Sequence, residues 1–210
     1  MAIYAENNGG GNYTPMEAGV YVARCTQLIQ IGSVTEEING ESKTLHKVRF
    51  GFEFPNEKKV FKEENGEQPY FLSKEYTLSM HEKSTLRAHL GQWRGKAFTE
   101  EEAKKFDITK LLGVPCTINV VHKVGKANGK TYAEIGSISP LMKGTLCPEQ
   151  INPTQVLSYD NFDIALFESL PEFLRKKIES SKEYKELGNS VQSPKESARA
   201  EEEESSEPPF

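Results

Sequence analysis

Residues 44–54, TLHKVRFGFEF, alternate apolar and polar side chains with a period of two. Successive side chains of a strand point to opposite faces, so Val48, Phe50, Phe52 and Phe54 share one face and Lys47, Arg49, Gly51 and Glu53 the other. Four large apolar groups in a row are a core stripe, and the other face should point outward. Upstream, VYVARCTQLIQI (residues 20–31) starts after Gly19 and stops at Gly32. Its alternation slips near Gln27 to Ile29, which predicts a bulge and a strongly bent first strand. A polar loop, Ser33 to Lys43, carries Asn39-Gly40 and should join the two strands. A longer loop, Pro55 to Pro69 with Asn65-Gly66, leads to a third strand over Tyr70 to Met80.

Helical signals then interrupt the sheet. Ser84 is placed to cap a helix whose Leu86, Leu90 and Trp93 form one stripe, and Gly95 stops it. Thr99 and Glu102 make a capping box, with Phe98 in the staple position. Asp107 opens a last turn that Gly113 closes. Strand character resumes over Pro115 to Val124 and Lys130 to Ser139, joined through Asn128-Gly129. The order strand, strand, strand, helix, strand, strand, with a bent first strand, is the layout of an OB-fold. The expected fold is therefore mainly β: a five-stranded barrel over residues 15–140 with a helical insertion between strands 3 and 4. Residues 1–14 read as a flexible N-terminus. Beyond Pro140 strand character is lost, and residues 141–187 read as short amphipathic helices around Phe162, Leu166, Phe173, Leu174 and Ile178, with Pro171 at a helix start. Residues 188–210 read as a disordered linker and tail.

Composition narrows the function. The 210 residues carry a net charge of -5, but residues 1–140 hold 18 Lys and Arg against 17 Asp and Glu, while residues 191–210 hold 2 against 6. A near-neutral body with clustered cations is compatible with a polyanion ligand but not with coating it by bulk charge. No apolar run approaches the roughly 18 residues of a membrane span, and no secretory leader is evident, so a cytoplasmic protein is expected. Cys25, Cys116 and Cys147 lack metal-ligand spacing and read as reduced thiols. Phosphate-binding glycine motifs, a nucleophile elbow and a spaced acidic cluster are all missing from the sequence, so neither an enzyme nor a cofactor is expected.

The last ten residues read EEEESSEPPF. An acidic run by itself serves solubility, but Pro208, Pro209 and Phe210 add a stiffened aromatic anchor of the kind a partner's pocket takes. This ending resembles the acidic tail of bacterial single-stranded DNA-binding proteins, which finish in Pro-Phe, and the aromatic-ended tails of phage counterparts. The resemblance implies a non-enzymatic protein that covers single-stranded DNA in phage replication, recombination or repair. Through Glu201, Glu202, Glu203, Glu204, Glu207, Pro208, Pro209 and Phe210 it would recruit a polymerase, helicase, primase or recombinase. The same carboxylates would compete with DNA for the groove. Homo-oligomers are compatible with this reading. The rival readings are a protein-interaction adaptor barrel and a strand-annealing or nuclease factor.

Such a barrel needs cations along a groove and flat side chains for stacking. Lys47 and Arg49 lie opposite the phenylalanines, and Arg24 and Lys74 lie on the flanking strands. Lys123, Lys126 and Lys130 form a loop without an intervening acid, whereas Glu36, Glu37 and Glu41 make the first loop the weaker candidate. Phe50, Phe52 and Phe54 alternate as core residues should. Trp93 shares the helix stripe and should plug the barrel end. The stacking candidates are the tyrosines Tyr21, Tyr70, Tyr76 and Tyr132, of which Tyr132 follows the basic loop directly. Arg87 and Arg94 project from the helix, and Arg94 would extend the positive path. Solvated surface charge is the ordinary alternative for each cation.

Overall fold

The computed structural model describes residues 14–125 and 128–188. Its centre is a long, bent antiparallel hairpin of β1 (Gly19–Ile38) and β2 (Glu41–Val60). Bulges fall between Cys25 and Gln27 and between Gln30 and Gly32, on either side of the stretch Gln27 to Ile29 where a single one was expected. The polar stretch expected as a loop is strand instead. Asn39 and Gly40 alone make the turn, with φ of 55° and 81°, the left-handed pair that matches the twist of a two-residue hairpin. The second polar stretch is also shorter than expected: β2 runs to Val60 past a bulge between Phe54 and Lys58, and β3 (Glu67–Thr77) begins two residues before Pro69. Residues 35–44 and 56–67 of these arms are exposed or half-exposed along both faces, which erases the alternation a half-buried strand displays.

The caps form as the sequence indicates. Ser84 accepts a hydrogen bond from Arg87 N at the start of α1 (Thr85–Arg94), and Gly95 closes it with φ of 68°. Thr99 and Glu102 complete the capping box of α2 (Glu100–Lys104), and Asp107 caps a 3-10 turn, Ile108–Leu111. The sheet resumes with β4 (Pro115–Val124) and β5 (Thr131–Ser139). A third piece was missed: β6 (Gln155–Leu157) pairs in parallel with β1 at Gln27 to Ile29, so strand character does not end at Pro140. Three residues are too short for any periodicity to register. The strand order is β3-β2-β1-β4-β5, with β6 also on β1. Where a closed five-stranded barrel was expected, the sheet is six-stranded and open, because no ladder joins β3 to β5 among the described residues.

Two cores result. The inner one collects Phe50, Phe52 and Phe54 of β2 with Ile118, Val120 and Ile135. Leu86, Leu90 and Trp93 close its end, the indole 5.7 Å from Phe52 and donating to the Pro115 carbonyl at 3.1 Å. The second core lies against the far half of β1. There Ile29, Ile31 and Val34 meet Leu157, Phe167 of α3 (Ile164–Ser169), and Leu174 and Ile178 of α4 (Glu172–Glu179). A helical stretch at 182–188 follows. Gly32 makes this docking possible: its φ is +95°, and a Cβ there would stand 2.7 Å from the Glu183 carboxylate and 2.9 Å from Ser181. Gly32→Ala is therefore expected to cost about 1–3 kcal/mol, read as a drop in the denaturation midpoint.

Candidate nucleic-acid interface

Lys47 and Arg49 do point away from the phenylalanines, yet that face is not open. The C-terminal segment lies across it. Arg24 donates to the carbonyls of Gly113, Cys147 and Pro148, the last two at 3.1 and 2.8 Å. Glu53, its cross-strand partner, is fully buried and accepts from Ile151 N at 2.6 Å and from Asn152 N and Nδ2 at 2.8 and 2.7 Å. Residues 146–157 thus form a strap across this face, the cation holding two of its carbonyls and the anion three of its N–H groups. Further along, the Arg49 guanidinium sits 5.4 Å from the Phe173 ring, and burial lowers its pKa against the pull of Glu75. Lys47 pairs with Glu36 at 2.7 Å, and Lys177 of α4 bridges Glu36 and Glu75 at 2.7 and 2.6 Å. Arg24, Lys47 and Arg49 are corrected accordingly: Arg24 and Arg49 hold the molecule's own C-terminal half, and Lys47 is engaged by Glu36 and Glu75, the carboxylates it shares with Lys177, because residues 146–179 occupy the face they were expected to present to a ligand.

This network carries a pH dependence. Hydrogen bonds from Lys177 and Lys47 hold Glu36 below its ordinary 4.5. Burial alone would raise Glu183, but the Ser33 N–H and hydroxyl, at 2.6 and 2.7 Å, hold it down. Both folded values are depressed, so the stability these groups add is complete above about pH 4.5 and is lost as pH falls through the folded values. Hydrogen exchange should show α4 losing protection below pH 4.5 before β4 does; equal loss in both would contradict the assignment.

Other expected contacts are also internal. Tyr76 is buried, its hydroxyl 2.9 Å from His89 Nδ1 and its pKa pushed far up by burial, so it presents no face for stacking. Lys74 spans the open seam, donating to the Ile135 carbonyl and lying 3.8 Å from Glu134. Arg94 stacks 4.3 Å from the Phe98 ring and pairs with Glu102 at 2.9 Å. Tyr70 is half-buried, edge-on to Phe61 at 5.1 Å. Among the cysteines, Cys25 and Cys116 are buried, and burial pushes the Cys25 thiol to about 12.

The β4–β5 hairpin keeps Lys123, Lys130 and Tyr132 on the surface together. Lys123 is the cross-strand partner of Tyr132 and lies 3.4 Å from Glu134. The Tyr132 hydroxyl accepts from Asn128 Nδ2 at 2.6 Å, and its ring lies on Gly125, whose Cβ would come within 2.8 Å of it. Lys126 lies outside the described residues, as does the segment Glu201 to Phe210. Two exposed aromatics escaped the sequence reading: Phe61 and Phe71, 50% and 41% exposed, the first lying in sequence between Lys59 and Lys62 of the β2–β3 hairpin. The signal existed, because Tyr70 and Leu72 face the core and an aromatic between them must face out. Two hairpins thus offer π-faces beside ammonium groups, an arrangement able to stack bases and neutralise phosphates. No family model matches this chain, no curated protein matches it, and no solved structure matches it.

Proposed function

We propose that this protein binds single-stranded DNA without catalysing a reaction on it. The observation that carries the reading is the strand order. β1 lies between β2 and β4, with β3 and β5 at the edges and α1 between β3 and β4, an order we read as an OB layout with its seam left open. The β4–β5 hairpin, where the OB layout commonly clamps a strand, carries Lys123, Lys130 and Tyr132. Residues 201–210 recruit a replication or recombination protein, an assignment resting on their sequence. Charge reversal tests the clamp: Lys123→Glu with Lys130→Glu should weaken oligo-dT binding and flatten the log–log salt slope by about 1.4, at about 0.7 per lost contact. Tyr132→Ala should cost about 1–3 kcal/mol of DNA binding and leave the melting temperature nearly unchanged. An unaltered slope in the double variant would remove the hairpin from the interface.

One cavity favours a second reading, a peptide-binding adaptor. A volume of about 430 Å³ is walled by Trp93, Phe98 and Phe106 with Arg94 and Lys110 among its lining groups, apolar enough for a side-chain anchor. Indifference to oligonucleotides at low salt would favour it.

A further inference from the structure

On the outer face, between the strap and β3, a cavity of about 290 Å³ is lined by Thr26, Gln27, Phe71, Asn152, Pro153 and Gln155. We infer that it is a base-sized subsite in which Phe71 stacks one nucleobase of the bound strand. The inference rests on the proposed single-strand binding and adds where one base goes. Size is the first argument. The cavity lies at the lower limit of small-molecule pockets, roughly 300 Å³, which suits one ring system and not a whole nucleotide.

The second argument is how the aromatic wall is made. Phe71 is the cross-strand partner of Glu53, so it stands on the face away from the core, yet it is not folded under the strap and remains 41% exposed. Its ring lies across Gly51: a Cβ at that position would fall 2.2 Å from Phe71 Cζ and 2.8 Å from Gln27 Cβ. Any other residue at 51 would lift the ring off the sheet and fill the space beside it. Gly51 breaks an otherwise bulky outward row, Lys47, Arg49 and Glu53, at the one point where a flat platform results.

Third, the wall beside the ring is polar and held. Gln27 and Gln155 are paired by the β1–β6 ladder, and Gln27 Nε2 donates to Gln155 Oε1 at 2.6 Å. That bond engages neither the Gln27 carbonyl oxygen nor the Gln155 amino group. An acceptor and a donor on adjacent, fixed side chains are what the edge of a heterocyclic base can bond to. Asn152 gives its N–H groups to Glu53, so the buried anchor that fastens the strap also fixes this wall. An aromatic ring over a strand glycine is also a structural device, but such a cover needs no amide pair beside it, and here one is present.

The test compares a labelled oligo-dT with an abasic strand of equal length, which has the phosphates but no bases, by fluorescence anisotropy at fixed salt. The protein as it stands should bind oligo-dT more tightly than the abasic strand. Phe71→Leu, which keeps an apolar cover over Gly51, should weaken oligo-dT binding roughly 5- to 150-fold, the range of one lost base stack, while abasic binding stays level. Phe71→Trp should retain the preference. If Phe71→Leu binds oligo-dT as the parent does, or loses both strands equally, the subsite is wrong while single-strand binding stands. If the parent binds no single strand at all, both fall.

Discussion

Phe52→Ala is expected to lower the unfolding free energy by about 3–5 kcal/mol. Phe52 is fully buried at the middle of the inner core, its ring 5.7 Å from the Trp93 indole that closes the end of the sheet. Truncation removes the transfer free energy of a whole aromatic ring and leaves a void between β2 and α1. α1 is held in place by other contacts, the hydrogen bond from Trp93 to Pro115 of β4 among them, so the gap cannot simply collapse. Urea denaturation followed by Trp93 fluorescence measures both the loss and the altered indole environment. A loss under about 1.5 kcal/mol would mean that Phe52 is not the centre of the core.

Glu53→Ala, one residue on and on the opposite face, is expected to cost about 3 kcal/mol by a different route. The carboxylate is the acceptor for three N–H groups of Ile151 and Asn152, and its removal leaves them without that acceptor. At roughly 1 kcal/mol for each donor left without a partner, the loss is comparable to a core truncation, though little apolar area is involved. The strap should also come loose locally, so limited proteolysis should cut residues 146–157 faster in this variant. Stability and cleavage unchanged from the parent would show that the strap is held elsewhere.

These neighbours mark how far the sequence can be read. Phe52 was legible because burial writes itself as a period of two, and the same pattern, with the capping residues Ser84, Thr99 and Asp107, placed the inner sheet and the helices between β3 and β4. Glu53 was not legible. A carboxylate on an outward face looks like solvated charge, and only the chain a hundred residues later supplies the amides that bury it. Lys47 and Arg49 fail for the same reason: alternation gives the face of a strand, not what covers that face. The strap itself has no regular period, since it is held by side chains accepting from and donating to its backbone and by the short parallel pairing of β6. Lys123, Lys130 and Tyr132 lie together because a hairpin keeps its tip residues adjacent whatever packs elsewhere. Phe71 required one further step, that an aromatic on the polar side of a strand is unusual enough to need a reason.

Single-strand binding itself is tested most directly by titrating labelled oligo-dT, with duplex DNA of the same length as competitor, over a series of salt concentrations. The predicted result is preference for the single strand and a log–log salt slope of about -2 to -3.5, as three to five phosphate contacts would give. Equal affinity for the duplex, or a slope near zero, would contradict it.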